Sequence, residues 1–449
     1  MELDLLEIIK QAGITGCGGA GFPTHVKMNC QVEYLIINGA ECEPLLRTDR
    51  WLMRHKAKEL VKAVEAIGTM VCASHLNIAL KENYKDEISC LQQAIKEENS
   101  RVSLHLLPNF YPAGDEQAIV LEVTDRTVPP AGIPLDVGAV VSNVATVYAI
   151  YEAMQGMMFT HKYLTVTGEV KEPVIVHTPI GTSFEECIRA AGGSLLSDYY
   201  VISGGPLMGK VYSKEEALKQ AVTKTTSGIV VIPADVPLVT LRNTPMNTIL
   251  RRAKSVCIQC SRCTDLCPRY LSGHPLKPHK IMRKLAYAQS VDEILNDFDV
   301  RQAQICSECG VCETFACPMG LFPRQVNAYV KQALAKEKIR YERCEDTYSQ
   351  REARAYRKVS SKRIATRLGV DKYYDYQIDR LVELSPDTVV IPLKQHIGAP
   401  SSAAVKVNDT VQAGSLVGRA AENALGANIY CGISGVVTKA DTSVTVKKA

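Results

Sequence analysis

A chain of 449 residues, 46% hydrophobic and 22% charged, has the make-up of a soluble globular protein with room for about three domains. A formal charge of only +4, with one Trp and 7 Phe, excludes the basic, aromatic-rich platform on which single-stranded nucleic acid stacks. The most membrane-like run, residues 137–159, is interrupted by Ser142, Asn143, Glu152 and Gln155, so it predicts a buried strand and helix rather than a span.

The chain begins MELDLLEIIKQAG, with acidic residues and no apolar signal core, which points to a reducing, cytoplasmic setting. Leu5, Leu6, Ile8 and Ile9 have the spacing of a short helix that stops at Gly13. The run GCGGAGFPT over residues 16–24 then matches GxGxxG. A Rossmann turn has a strand before it and a helix after it, whereas here a helix precedes and Phe22-Pro23 follows. The glycines still allow close backbone approach to a phosphate or a flat ring.

Residues 34–37 read as an apolar strand leading into NGAECEP at 38–44. A helix over 52–67, a strand over 76–80, a helix over 87–96 and a strand over 102–107 continue the alternation and predict a parallel sheet with helices on its faces. YPAGDE at 111–116 follows the last of these, and SNVAT at 142–146 follows a strand over 137–141. Three polar loops after three strands predict one shared crevice at the carboxyl ends. Taken singly, Glu41, Glu43, Asp115 and Glu116 read equally well as solvated loop charges.

Residues 163–193 predict two short strands, a turn at 178–181, and a helix capped by Thr182 with Glu185 in capping-box position. The loops GGPLMG at 204–209 and TKTTSG at 223–228 lead to a strand over 229–232, and no physical role is evident for either loop.

Eight cysteines follow. Cys257, Cys260, Cys263 and Cys267 are spaced CxxCxxCxxxC before Pro268, and Cys306, Cys309, Cys312 and Cys317 are spaced CxxCxxCxxxxC before Pro318. This is ferredoxin spacing, and it predicts two [4Fe-4S] clusters. In two-cluster ferredoxins the fourth cysteine of each run ligates the other cluster, which pairs Cys257, Cys260 and Cys263 with Cys317, and Cys306, Cys309 and Cys312 with Cys267. Zinc knuckles have no use for the third cysteine at the same interval. The extra residue before Cys317 makes the two environments unequal. Between the motifs, Ile281, Leu285, Ile294 and Leu295 mark helical apolar positions. Arg251, Arg252, Lys254, Lys277, Lys280, Arg283 and Lys284 would offset cluster charge or attract an acidic partner, and a solvated face accounts for them equally well.

Residues 331–367 are polar with mixed charge, as in a helix and linker. From residue 388 the chain is β-rich, with strand-like stretches over 405–411, 428–430 and 433–437. Cys17, Cys30, Cys42, Cys72, Cys90, Cys187, Cys344 and Cys431 lie outside the motifs and read mostly as buried small residues.

The motifs GCGGAGFPT with Lys27, NGAECEP with Asp49 and Arg50, YPAGDE and SNVAT together resemble the flavin and NADH site of the NADH-oxidising subunit of respiratory complex I. They are still more similar to its simpler relatives, the RnfC subunits and the PduS cobalamin reductases of propanediol-utilisation microcompartments. The resemblance implies FMN and NADH as ligands. It implies that Gly16, Gly18, Gly19, Gly21 and Lys27 hold the FMN phosphate side. Asn38, Glu41, Tyr111, Gly114, Asp115, Glu116, Asn143 and Thr146 would line the flavin, while Phe22 and Glu43 would face the nicotinamide nucleotide as catalytic-site residues. Cys17 stands where complex I relatives carry arginine, Ala40 where they carry aspartate, and Ser142 in place of the first of two asparagines. These departures suit the RnfC and PduS branch.

The implied fold is α/β and multidomain. It comprises a Rossmann-like FMN/NADH domain (1–160), a β-grasp (SLBB) module with connecting strands (161–240) and a helical dicluster 4Fe-4S ferredoxin domain (241–335). A helical linker (336–385) and a barrel-sandwich domain of biotinyl or lipoyl type (386–449) complete it. The barrel's hairpin at residues 421–426 lacks a carrier lysine, so docking or covering is the expected role, and its place at the end of the chain matches PduS.

The implied function is an NADH-dependent oxidoreductase that passes electrons through FMN and two [4Fe-4S] clusters to cobalamin, in support of adenosylation. None of the 9 histidines sits in DxHxxG, so the corrinoid would bind on a partner or at the surface. The expected partner is a corrinoid adenosyltransferase or another acceptor protein, with a microcompartment shell as a further association and its interior as the finer location. Two alternatives stay open: an RnfC-type peripheral subunit of a membrane NADH:ferredoxin oxidoreductase, and a non-enzymatic relay or scaffold without NADH binding.

Overall fold

A central parallel strand is buried on both faces and therefore needs an unbroken apolar run. Leu35, Ile36 and Ile37 supply it, each at most 1% exposed, in β1 (Tyr34–Asn38). β1 lies between β2 (His75–Lys81) and β4 (Ala139–Asn143), with β3 (Ser103–Leu107) outside β2, and every pairing is parallel. In the order β3-β2-β1-β4 the connections leave β1 and β4 on opposite sides, opening a crevice at the carboxyl ends of these two strands. Asn38 and Asn143 face each other there in register. The computed structural model describes residues 4–343, 348–422 and 424–448.

The helix expected over 52–67 is two helices, Thr48–His55 and Ala57–Met70, broken at Lys56, which leaves the helical region at φ −129°. The polar first turn of the earlier helix was hidden in the sequence because its cap comes from outside it. Asp49 N donates to Glu41 Oε1 at 2.9 Å and Arg50 N to Oε2 at 3.4 Å, so a carboxylate from the preceding loop satisfies the free amides.

The second sheet holds β5 (His161–Gly168), β6 (Val174–Pro179), β7 (Tyr200–Ser203), β8 (Lys210–Ser213), β9 (Gly228–Ile232) and β10 (Leu381–Glu383), in the order β10-β6-β5-β9-β7-β8. β10 comes from the stretch expected to be a linker and pairs in parallel with β6, so the chain returns to the β-grasp sheet after the cluster domain. The helix Phe184–Ala190 is capped by Ser183 with Glu186, one residue later than expected. Thr182 is diverted, because its buried hydroxyl donates to Pro179 O at 2.7 Å and closes the turn.

In the cluster domain the helices Met246–Val256, Pro278–Tyr287 and Pro323–Lys336 enclose Ile281, Leu285, Leu295 and Val326. The C-terminal module packs one sheet of Thr388–Pro392, Thr410–Val411, Gly435–Ala440 and Ser443–Lys447 against another of Ser402–Ala403, Leu416–Arg419 and Ile429–Tyr430. The strand expected over 405–411 shortens to its last two residues, since Lys406 N turns back to Asp409 Oδ2 at 2.7 Å. Within the hairpin at 421–426, Asn423 lies outside the described residues. No helix among the described residues is long and apolar enough to cross a membrane. Of the cysteines outside the motifs, Cys17, Cys187 and Cys431 are buried, Cys30, Cys42 and Cys90 are partly exposed and Cys72 is exposed; Cys344 lies outside the described residues.

One buried lysine joins three domains. Lys224 Nζ, fully buried, donates to Gly13 O at 2.6 Å and to Asn428 O at 2.5 Å, while its own amide donates to Gln395 Oε1 at 2.9 Å. Burial pushes its pKa down to about 7. The unfolded chain keeps this amine protonated to higher pH, so it binds more protons than the fold above neutrality, and stability rises with pH in that window. Thermal stability should therefore increase from about pH 7 to about pH 9.5 by more in the parent than in Lys224→Met, measured by differential scanning fluorimetry of both proteins; parallel profiles would contradict it.

Candidate functional site

The crevice between β1 and β4 opens into a cavity of about 920 Å³, large enough for a nucleotide-sized ligand. Its floor is the glycine run, pinned at both ends. Gly16 N donates to Phe22 O at 2.9 Å and Thr24 N to Ile14 O at 3.0 Å, so the intervening residues form a tight loop. Cys17 N donates to Thr146 Oγ1 at 2.9 Å and ties that loop to the first turn of the helix that follows β4. Gly21, at φ +71°, has room for no side chain: a Cβ there would lie 2.6 Å from Thr225 Cγ2.

All of Gly16, Gly18, Gly19, Gly21, Phe22, Lys27, Asn38, Glu41, Glu43, Tyr111, Gly114, Asp115, Glu116, Asn143 and Thr146 line this one cavity. The structure thus brings together residues drawn from four separate loops. Asn38 Nδ2 donates to Gly114 O at 2.9 Å, and Asn38 Oδ1 accepts from Ala40 N at 3.1 Å. Asn143 Oδ1 caps the helix Val144–Met154 through Ala145 N, and its Nδ2 donates to Asp49 Oδ2 at 2.7 Å. Lys27 pairs with Glu116. Burial, and after it the neighbouring Glu41, pushes Asp49 up to about 7.

Several of these side chains have immediate tasks that their sequence context did not suggest. Both carboxylate oxygens of Glu43 are taken by backbone amides, Leu207 N at 2.9 Å and Met208 N at 2.8 Å. Burial raises its pKa while these two bonds oppose the shift. Gly205 must be glycine, because a Cβ would fall 2.3 Å from the Glu43 side chain. The loop at 204–209, which had no evident role, is therefore a wall held in place by Glu43. Asp115 caps the helix Glu116–Thr124 through Gln117 N and Ala118 N. It also receives both guanidinium nitrogens of Arg269, Nη1 at 2.6 Å and Nη2 at 3.0 Å. Arg269 was missed; the available signal was a basic residue directly after Cys267-Pro268.

The donor set suits a flavin nucleotide on the structure's own terms. The loop is glycine-rich, Thr24 on the cavity wall buries a hydroxyl with no partner, and Phe22 stays 39% exposed on the cavity wall, free to stack on a ring. Thr225, Thr226 and Ser227 of the β-grasp module and Pro392, Lys394 and Gln395 of the C-terminal module complete the wall. These residues gave no sequence signal because they approach the crevice only through domain docking.

The opposite wall belongs to the cluster domain. Tyr111 Oη donates to Cys309 O at 2.8 Å, and Ser307 and Cys309 themselves border the cavity. The structure gathers the eight motif thiols as two crossed sets. Burial pushes Cys263 up to about 12, with Cys317, Cys257 and Cys260 adding to the shift. Burial likewise raises Cys312, which has Cys306, Cys309 and Cys267 as its thiol neighbours. Such thiols ionise on binding metal. Among the described residues no group of three or more candidate ligands is drawn tightly enough for a single metal ion, whereas a four-iron cube takes one thiolate at each of four separated corners.

Amide and side-chain donors already point at the sulfurs, as iron-sulfur ligands require: Glu308 N and Leu321 N reach Cys306 Sγ and Cys317 Sγ at 3.4 Å, and Asn327 Nδ2 reaches Cys306 Sγ at 3.6 Å. The extra residue of the second motif is absorbed in a π-turn, Cys312–Ala316, closed by Cys317 N on Cys312 O at 3.1 Å. The set containing Cys309 is inner, beside the cavity, with Cys267 and Cys312 each 7% exposed. The set containing Cys260 is outer, and Cys260 is exposed to solvent.

Comparison with known proteins accounts for nearly every segment. Residues 9–152 match the Nuo51 FMN-binding domain, 163–211 the SLBB domain, 256–322 a 4Fe-4S dicluster domain and 376–449 the RnfC barrel sandwich hybrid domain. The chain is 41% identical to the cobalamin reductase PduS of Salmonella typhimurium over 99% of its own length and 96% of that protein, and 39% identical to the cobalamin reductase PduS of Citrobacter freundii over 98% and 95%. It is 34% identical to a component of the proton-translocating ferredoxin:NAD(+) oxidoreductase complex of Clostridium ljungdahlii over 60% of this chain and 56% of that one. A crystal structure of an NAD+-reducing [NiFe]-hydrogenase superposes at TM-score 0.48 with 18% identity, covering 77% of this chain and 63% of that one.

An Asp49 whose pKa is raised to about 7 is largely neutral below that pH and anionic above it, where it repels a phosphate-bearing ligand. Its ionisation should weaken FMN binding by about fivefold between about pH 6 and about pH 8. Fluorescence titration of parent and Asp49→Asn proteins isolates this contribution; equal pH dependence in the two would contradict it.

Proposed function

Because the chain belongs to the PduS family of cobalamin reductases, we propose that it oxidises NADH and delivers the electrons one at a time to a corrinoid. It is an oxidoreductase whose cofactors are FMN and [4Fe-4S] clusters. FMN held in this cavity would supply the conversion between a two-electron hydride donor and clusters that take up electrons singly. The observation that carries the proposal is the shared wall: the loop bearing Tyr111 borders the nucleotide cavity and also bonds the backbone of Cys309.

In this reading the chain's own residues bind, orient and shield. Gly16, Gly18, Gly19 and Gly21 let the backbone approach the phosphate side, with Lys27 as the nearby cation. Asn38, Glu41, Tyr111, Gly114, Asp115, Glu116, Asn143 and Thr146 shape the flavin pocket. Phe22 stacks on the incoming nicotinamide nucleotide, and Glu43 holds the wall against which that nucleotide rests. Cys306, Cys309, Cys312 and Cys267 hold the inner cluster, and Cys257, Cys260, Cys263 and Cys317 hold the outer one. The domain limits given above follow the same division, with β10 returned to the β-grasp module. Thr225, Pro392 and Gln395 close the cavity and limit water.

A corrinoid adenosyltransferase as the receiving protein, and a cytoplasmic site inside a bacterial microcompartment, belong to this proposal on the strength of the sequence resemblance. A peripheral subunit of a ferredoxin:NAD(+) oxidoreductase fits less well, since such relatives align over 60% of the chain against 99% for the cobalamin reductases. A relay without nucleotide binding would leave an open cavity of about 920 Å³ unused, with Phe22 exposed on its wall.

Under anaerobic conditions NADH should bleach the flavin absorbance of the reconstituted protein and then reduce added cob(III)alamin; absence of bleaching would overturn the proposal. Phe22→Ala should raise KM for NADH by about tenfold, the loss of base stacking worth ~1–3 kcal/mol, with FMN content unchanged. An unaltered KM would remove Phe22 from the nucleotide site.

A further inference from the structure

The outer thiol set lies under a surface of unusual charge. Residues 246–289 carry nine Lys or Arg against a single acid, Asp265, in a chain whose total is only +4, so the remainder of the molecule is net acidic. Some of these cations are engaged: Arg269 by Asp115, Lys280 by Asp299 and Lys284 by Asp297. Arg251, Arg262 and Arg283 are exposed and form no ion pair among the described residues.

Exposed apolar groups lie in the same stretch, and Arg283 sits against one of them, Tyr287. Ile258 is 60% and Tyr287 73% exposed, while Gln259 Nε2 reaches Tyr287 Oη at 3.5 Å and Lys254 Nζ donates to Ala288 O at 2.6 Å. The carboxyl ends of the helices Met246–Val256 and Pro278–Tyr287 are thereby joined beside Cys257 and the exposed Cys260. Exposed Tyr and Ile among exposed arginines are the make-up of a protein-binding patch. A solvated face would not require two large apolar side chains at its centre.

We propose that this face, centred on Ile258, Cys260 and Tyr287 and including Arg251, Arg262 and Arg283, docks a protein that accepts single electrons and presents an acidic patch. The assignment rests on the reading that electrons leave through the outer thiol set. Oxidation of one NADH yields NAD+, a proton and two electrons, and each of two acceptor molecules gains one electron. Opposite charge steers the acceptor to the face, and the apolar centre seats it with its redox group close to Cys260.

The test uses full-length protein loaded with FMN and iron, and an acidic flavodoxin as the probe, with basic cytochrome c as the opposite-charge control. Binding of oxidised flavodoxin is measured by fluorescence anisotropy, and its one-electron reduction is followed separately after photoreduction of the loaded protein. The Kd for flavodoxin should rise at least about tenfold in Arg251→Glu/Arg283→Glu, and likewise in the parent between ~50 mM and ~500 mM salt. Cytochrome c should bind the double variant more tightly than the parent. Iron content of the variant should match the parent, which separates a docking defect from misfolding; Arg251→Glu alone should give an intermediate Kd.

An unchanged Kd on charge reversal overturns the proposal. So does free cob(III)alamin reduced at the same rate by parent and variant while flavodoxin binds neither, since the face then serves a small molecule directly. If NADH fails to bleach the flavin but flavodoxin binding keeps its dependence on salt and on Arg251 and Arg283, the docking face stands and the donor reading falls.

Discussion

The loop over residues 111–116 is where the nucleotide domain is clasped to the cluster domain. Its Asp115 carboxylate caps a helix of the first and receives a bidentate arginine from the second, while its Tyr111 phenol bonds the backbone of a cluster cysteine. A buried pair of this kind contributes little against an apolar substitute, yet removing one partner costs about 3–5 kcal/mol because a charge is left unpaired. Its effect is positional. With the loop fixed at both ends, the wall of the flavin cavity and the wall of the inner thiol set are the same few residues, and electron transfer needs no moving part between them.

The remaining domains are arranged around that clasp. Glu43, in the loop after β1, holds the β-grasp loop through Leu207 N and Met208 N, and Lys224 reaches back from the same module to Gly13 and Asn428. The glycine run is thus covered from above by the C-terminal module, whose Pro392, Lys394 and Gln395 enter the cavity wall. A barrel-sandwich without a carrier lysine has a clear use here as a lid component fixed by backbone bonds.

What was legible in the sequence were features with local or self-contained logic. The cysteine intervals point to iron-sulfur clusters because ligand spacing is a covalent property, and NGAECEP, YPAGDE and SNVAT converge because each follows a parallel strand, whereas the glycine run follows a helix and is tied to them through Cys17 N on Thr146 Oγ1. Features that depend on a partner distant in the chain were not legible. Glu41 caps a helix that its own sequence does not announce, Arg269 answers a carboxylate more than a hundred residues earlier, and β10 joins a sheet begun before the cluster domain. The displaced cap at Ser183 has a different cause: Thr182 and Ser183 are both good caps, and the buried turn at Pro179 takes the first.

The proposed order of electron travel runs from the cavity to the inner set and then to the outer set. Rapid freeze-quench electron paramagnetic resonance of the Cys260→Ser protein, loaded with FMN and iron and mixed with NADH, tests it most directly. The account predicts that the remaining cluster is reduced at the parental rate while electron delivery to an added corrinoid falls by at least about tenfold, a change of ~1.4 kcal/mol in the effective barrier. A remaining cluster that NADH no longer reduces, or corrinoid reduction that continues undiminished, would contradict it.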